Sequence, residues 1–579
     1  MQISNVLSRL TLTEFEERFA DRHLLHGTVE KWAEERSEAI ALIDFDRRRN
    51  TTWAEFDCAA TGVAMRLLEA GFRKGDSFAS LLPLTSHHLF LEYACFKIGV
   101  IFVPLDLRLP PAEILRSLTL VRAKGFAFLK MQGAPDVAPM LGQLQQAFNP
   151  KMVIQFSAPG VETTAGTVNI VELLGDAMQL AKPSCTNERS ARLRAMYAEA
   201  SRQVTENDGA LVIFTTGSTG SPKPALLSHR NISCQAMCIS QTLLHGTEKP
   251  LVTLVNLPPS HVGCQTELLM GTLFEGGTAV LLAIFEPTKT LQAISDSKVT
   301  ALGQIPAMFQ FEWRLKDYDT FDLSSLELAV YGGQSVTPAF IDKMATMAPE
   351  VGTGLGLTET AGFCTYIRVP REQARDCARS VGFAAPIYDV TIRQAMRSDR
   401  SAGDELPPGD VGYVCFRGPQ TFLGYLNDPV ATATTLSTDG YLYTGDMGRV
   451  EANGLHLSGR AKFIIKPGGY QVFPGDVEAH FSAMEEVAEA VAVGVEHPII
   501  SEAVVLFVEA KPGTELTIAA LQRHARSLAS YMRPRHYVIL QPGELPLNRV
   551  AKADYLALRD RAKQEVQALK ARGTWDEAE

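Results

Sequence analysis

The chain has 579 residues, too many for one hydrophobic core, so two or more domains are expected in a single polypeptide. With 65 acidic against 55 basic residues and a net charge of −10, it lacks the basic balance of a nucleic-acid binder. A small anion held locally by a few cations and backbone N–H groups stays possible. The nine cysteines contain no C-x-x-C pair, which argues against a disulfide framework or structural zinc and suits a cytoplasmic setting. The N-terminal stretch has no apolar core of the secretory kind, and no run approaches the about 18 apolar residues of a membrane span.

Along the chain, Ala59 to Ala70 has helical spacing and stops at Gly71; Phe78 to Leu82 reads as a buried strand. His88 to Ile98 follows as a helix and Val100 to Pro104 as a strand, the alternation of a parallel, helix-covered sheet. Residues 133 to 207 look less regular, with a loop at Ala158 to Thr167 and an amphipathic helix at Asn187 to Gln203, and are expected to form a surface excursion. The α/β rhythm resumes with strands at Ala210 to Phe214, Leu251 to Val255, Ala279 to Leu282 and Leu328 to Tyr331, then β-hairpin material around Asp410 to Arg417. After Arg460 a small α+β unit begins: strands at Ala488 to Val495 and Ala503 to Ala510, a helix at Ile518 to Leu528, and a charged C-terminal helix at Asp554 to Arg572. The expected division is 1–460 and 461–579.

The most informative stretch follows the strand at Ala210. Thr215, Thr216, Gly217, Ser218, Thr219, Gly220 and Lys223 put hydroxyls, glycines and one lysine together. Glycines let backbone N–H groups approach phosphate oxygens, hydroxyls add donors, and lysine adds charge. The spacing is not that of a Walker A loop or of a serine-nucleophile elbow; a plain surface loop is the competing reading. In the second glycine cluster, Gly352 to Gly356, the last glycine of a dinucleotide fingerprint falls on Leu357, so that pattern fails. Thr358-Glu359 directly beyond it places a carboxylate that could hold Mg²⁺ against phosphate oxygens.

In order, TTGSTGSPK, GLGLTE, YLYTGD, GRAKFIIKPGG and LPLNRVAK resemble the signatures of the adenylate-forming superfamily of acyl- and aryl-CoA synthetases. The resemblance covers about residues 27 to 560 and implies an α/β fold. A large N-terminal domain of helix-covered sheets plus a small β-barrel would carry a smaller, mobile α+β C-terminal domain. It implies that Thr215 to Lys223 wrap the phosphates of ATP, that Glu359 places Mg²⁺, and that Gly332, Gly333 and Gln334 lie along the adenine. Asp446 would hold the ribose hydroxyls, Arg460 the ribose–phosphate region, and Lys552 would reach in as the catalytic lysine of adenylation. The resemblance makes Lys462 the hinge, about which Lys466, Gly468 and Gly469 swing in to open a path for the pantetheine arm of coenzyme A. Two anions must meet when a carboxylate attacks the α-phosphorus, so the cations stabilise the reaction by position and charge. Pro224, Leu355 and Ala551 depart from the family pattern and are expected to change nucleotide affinity.

The segment Leu257 to Glu267 is similar to the family's acyl-pocket segment, with His261 at its aromatic position beside the substrate carboxylate. Amino-acid activators carry an aspartate next; here stands Val262, which leaves a buried ammonium without a counter-charge. An apolar acid is expected, aromatic, alicyclic or medium-chain, lined by His261, Val262, Gly263, Tyr331, Gly354 and Leu355. By the same resemblance, the interval from Glu359 to Asp446 is close to that of the coenzyme A ligases, which makes coenzyme A the expected acceptor. Loading of a separate carrier protein, or nucleotide binding without turnover, are the alternatives, and a monomer or homodimer is expected.

Overall fold

The computed structural model describes residues 10–131, 137–157, 160–215, 222–244, 249–468, 470–547, 553–573 and 575. Two large sheets form the N-terminal part. One runs, in spatial order, Phe383–Ala384, Gly362–Pro370, Glu350–Leu357, Leu328–Tyr331, Ala301–Gln304, Val252–Val255, Thr278–Leu281, Ile40–Asp44 and Arg49–Thr52. Its central pairs, from Glu350–Leu357 across to Ile40–Asp44, are parallel, and the outer pairs are antiparallel. The other runs Gly424–Tyr425, Lys223–Ser228, Gly209–Thr215, Ile101–Pro104, Ser77–Leu81, Gly125–Lys130, Met152–Ser157 and Val168–Asn169. Strands such as Ile101–Pro104 and Leu328–Tyr331 are buried along their whole length, which is why they read as unbroken apolar runs.

The helix Trp53–Glu69 starts at a capping box, in which Thr52 and Glu55 satisfy each other's backbone N–H groups. It crosses the helix Ile170–Ala181 at Gly62, where an added Cβ would lie 2.1 Å from the Ala177 carbonyl oxygen. The segment expected as a surface excursion is therefore part of the fold. Met152–Ser157 and Val168–Asn169 extend the second sheet, and Ile170–Ala181 covers it. Its polar sequence reflects helices with one buried face, such as Glu188–Arg202, capped by Asn187.

The antiparallel unit expected as a small barrel is a four-stranded sheet, Asp389–Arg393, Gly412–Arg417, Leu442–Glu451 and Gly454–Arg460, with Asp389–Arg393 and Gly454–Arg460 at its two edges. Beyond it, Val487–His497 pairs antiparallel with Ser501–Ala510, which pairs parallel with His536–Leu540. Two apolar clusters, built from Ile465 onward, pack the two faces of this small sheet. Among the described residues, neither shares a member with the clusters of the N-terminal part.

Candidate active site

The strand Gly209–Thr215 ends at Thr215, and the chain returns antiparallel as Lys223–Ser228. Thr216, Gly217, Ser218, Thr219 and Gly220 lie outside the described residues. Both ends of the loop are set: the Lys223 N–H donates to Thr215 Oγ1 at 3.4 Å, and Lys223 Nζ stands 5.0 Å above the Tyr425 ring. Pro224 costs the sheet one donor, but its carbonyl accepts from Leu426 N–H at 2.7 Å, so the short strand Gly424–Tyr425 can still pair here.

Tyr425 connects this loop to the second motif. Its hydroxyl donates to Glu359 Oε1 at 2.5 Å. Glu359 sits in the turn Thr358–Thr360, held by Thr360, whose hydroxyl accepts from Leu357 N–H at 3.1 Å. Ala361 and Gly362 then take φ of 55° and 124°, and Phe422 N–H donates to the Glu359 carbonyl at 2.9 Å. Lys223, Tyr425 and Glu359 thus form one group: a cation, an aromatic hydroxyl and a carboxylate whose hard oxygens suit Mg²⁺. Tyr425 was not among the sequence candidates. Its only sequence signal is a Gly-Tyr pair that reads equally well as a turn.

Asp446 and Arg460 face each other in register across Leu442–Glu451 and Gly454–Arg460, with Arg460 Nε 2.8 Å from Asp446 Oδ1. Arg460 also donates from Nη1 to the Thr444 carbonyl at 3.1 Å. The Asp446 side chain is 11% exposed against 43% for Arg460, so the carboxylate is fixed and the guanidinium has room to move. Burial, with smaller contributions from Asp446 and Glu267, pushes the Cys364 thiol well above its ordinary pKa.

Gly332 and Gly333 leave the end of Leu328–Tyr331, Gly333 at φ of 94°, and are followed by the half-buried Gln334. A Cβ on Gly332, Gly354 or Gly356 would meet the Phe363 ring at 3.0–3.1 Å, so this aromatic from the neighbouring strand lies over a floor of glycines. Phe363 was missed because nothing local in the sequence marks it as different from a core phenylalanine. Leu355 packs beside this floor, with its N–H donating to Thr365 Oγ1 at 3.2 Å. Tyr331 is a correction: it is only 4% exposed, and its hydroxyl donates to the Cys377 carbonyl at 2.8 Å, within a core cluster with Phe340. Alternation along the strand turns it away from the glycine floor.

His261 ends the loop from Leu257, and its carbonyl accepts from the N–H groups of Cys264 and Gln265 at 3.1 Å each. It is half-buried and lies close enough to Asp106 to help hold that carboxyl, itself bonded to Arg108, below its ordinary pKa. Val262 and Gly263 are half-buried too, and Gly263–Leu269 continues as a π-helix, a winding often found at functional sites. It is pinned against the Glu359 turn by the Thr266 hydroxyl, which donates to the Ala361 carbonyl at 2.5 Å.

After the last strand of the four-stranded sheet, Lys462 occupies the turn Ala461–Phe463, its pKa lowered by burial and by Arg460. Lys466 N–H donates to Glu502 Oε2 at 2.7 Å, and Gly468 N–H to the Ile500 carbonyl at 2.7 Å. Gly469 and Lys552 lie outside the described residues.

The family model described as "AMP-binding enzyme" matches residues 29–426, and that described as "AMP-binding enzyme C-terminal domain" matches residues 476–552. The chain belongs to the AMP-binding enzyme family. Among its relatives in this family is a 3-[(3aS,4S,7aS)-7a-methyl-1,5-dioxo-octahydro-1H-inden-4-yl]propanoyl:CoA ligase of Mycobacterium tuberculosis, 29% identical over 93% of this chain and 99% of that protein. A mitochondrial medium-chain acyl-CoA ligase of Bos taurus is 25% identical over 94% and 89%. Among solved structures, ATP-bound MatB of Rhodopseudomonas palustris, at 21% identity, superimposes with a TM-score of 0.75 over 94% of this chain and 99% of that one.

Proposed function

We propose that this AMP-forming acid–thiol ligase activates an apolar acid, alicyclic in the first instance, as its acyl-adenylate and transfers the acyl group to coenzyme A. The observation that carries this reading is the junction of two groups. The Lys223–Tyr425–Glu359 cluster is joined, through the Thr266–Ala361 hydrogen bond, to an acyl segment in which Val262 offers no counter-charge for an ammonium. In this reading Lys223 and Glu359 orient the triphosphate and its Mg²⁺. Asp446 accepts from the ribose hydroxyls while Arg460 swings toward the phosphates. Bound Mg²⁺ would neutralise phosphate charge, and Glu359 supplies the oxygen donor for it. Lys552 then stabilises the charge that develops when the carboxylate attacks.

The domain boundary lies at Arg460 and the hinge at Lys462, directly after the last strand of the four-stranded sheet. Support for the acid class comes from the relatives, one named for a fused-ring propanoyl substrate and one for medium-chain acids. The test is pyrophosphate release from ATP across alicyclic, aromatic and medium-chain acids, with and without coenzyme A. Acid-dependent release that yields a thioester is expected. Lys552→Ala should cut adenylation by roughly a hundredfold or more while sparing thioester formation from supplied acyl-adenylate. Release that ignores coenzyme A would overturn the acceptor.

A further inference from the structure

The π-helix Gly263–Leu269 buries Cys264, Gln265, Thr266, Leu268 and Leu269, and keeps surface accessible at Gly263 and Glu267. These two are four residues apart, hence on one helix face, the face that continues from the half-buried His261 and Val262. The Glu267 carboxyl occupies room left by two missing side chains. Its Oε1 lies 2.8 Å from where a Cβ on Gly362 would stand, and its Oε2 lies 3.5 Å from where one on Gly263 would stand. The Phe363 N–H favours the ionised form of this carboxylate, and among the described residues no cation contributes to its electrostatics. A carboxyl is thus built into the lining of a segment otherwise suited to apolar acids.

We infer that Glu267 is a specificity-determining residue, and that the acid carries an oxygen acceptor, a ring ketone or hydroxyl, to which the Glu267 carboxyl donates its O–H. The inference rests on the acyl-CoA ligase reading above and narrows its substrate class. A wholly apolar acid entering here would strip water from Oε2 and return no hydrogen bond, a loss that selects against it. Desolvation by the surrounding protein pushes the Glu267 carboxyl up to about 7, so a protonated fraction able to donate persists up to neutral pH. Glu267 lies six residues beyond His261, so the acceptor oxygen would lie along the acyl body, away from the substrate carboxylate. No proton is transferred in the recognition; the O–H bond stays intact.

The test uses matched pairs of acids, an oxo acid and its deoxo counterpart of the same carbon skeleton, assayed for pyrophosphate release and thioester formation. Wild-type enzyme should favour the oxo acid by about tenfold to a hundredfold in kcat/KM. Glu267→Leu should bring that ratio near one, mostly by losing the oxo acid. Glu267→Gln keeps an N–H donor in the same place and should retain most of the preference, which separates recognition from a general packing defect. Turnover of both acids with a wild-type ratio near one, or a ratio untouched in Glu267→Leu, overturns the inference while leaving the ligase reading standing. A preference for ω-amino acids would overturn it too, since it would mean an ionised carboxylate. Absence of turnover with every acid would take down both.

Discussion

Tyr425 donates to Glu359 at 2.5 Å and lies beneath Lys223 at 5.0 Å, so one side chain sets the distance between a cation and a carboxylate that must share the same triphosphate. Tyr425→Phe keeps the ring and removes the hydroxyl. Pyrophosphate release should fall about tenfold in kcat/KM for ATP, from the loss of one charge-assisted hydrogen bond, with the fold unchanged by circular dichroism. Asp446→Ala removes both acceptor oxygens and the ion pair with Arg460, which keeps its bond to the Thr444 carbonyl. Here the KM for ATP should rise by roughly tenfold to a hundredfold, and an unchanged KM would remove Asp446 from the nucleotide site. At this scale the sequence showed the motif residues and missed their connector. Lys223, Glu359, Asp446 and Arg460 stand inside distinctive strings, whereas Tyr425 matters only because its strand pairs beside Lys223–Ser228.

The helices depend on close contacts that composition does not reveal. Gly62 stands mid-helix, where glycine is ordinarily a cost of about 1 kcal/mol, yet an added methyl would strike the Ala177 backbone carbonyl at 2.1 Å. Gly62→Ala therefore reverses the usual helix-propensity gain. It should destabilise the protein by roughly 1–3 kcal/mol, read as a lower denaturation midpoint. Several element boundaries were legible from apolar periodicity, as at Asn187, whereas the helix expected from Ala59 begins earlier, at Trp53 behind the cap Thr52. The region 133–207 was misread because its strands lie at the far edge of the sheet, the last of them only two residues long, where parallel neighbours supply the missing context.

Among the described residues, several carboxyls are desolvated by the protein around them with no cation contributing to their shift. Glu312 accepts from Gln304 at 2.7 Å, and burial pushes its pKa up to about 8; Glu478, bonded to Tyr555, and Glu267 are each pushed up to about 7, again by burial. Such groups hold their proton longer in the folded state than the unfolded chain does. Their contribution is complete below the unfolded value near 4.5 and is lost as pH rises through about 7 to 8. The thermal midpoint should thus fall between pH 5 and 9. Glu312→Gln should flatten that fall by an amount on the order of 1 kcal/mol or more, and parallel slopes for mutant and wild type would refute the assignment.

The sequence alone determined what depends on short strings and on periodicity: the alternation of strands and helices, the phosphate-loop composition, and the order of motifs that identifies the family. These are local, because a glycine-rich turn or a buried strand requires its residue types wherever it folds. Only the tertiary structure decided which side chains share a space. It sent Tyr331 into the core, laid Phe363 across Gly332, Gly354 and Gly356, brought Tyr425 between Lys223 and Glu359, and set Glu267 on the open face of its π-helix. Those outcomes turn on strand register and helix phase, where one residue's shift reverses the side chain's direction, and contacts between strands far apart in the chain fix that register.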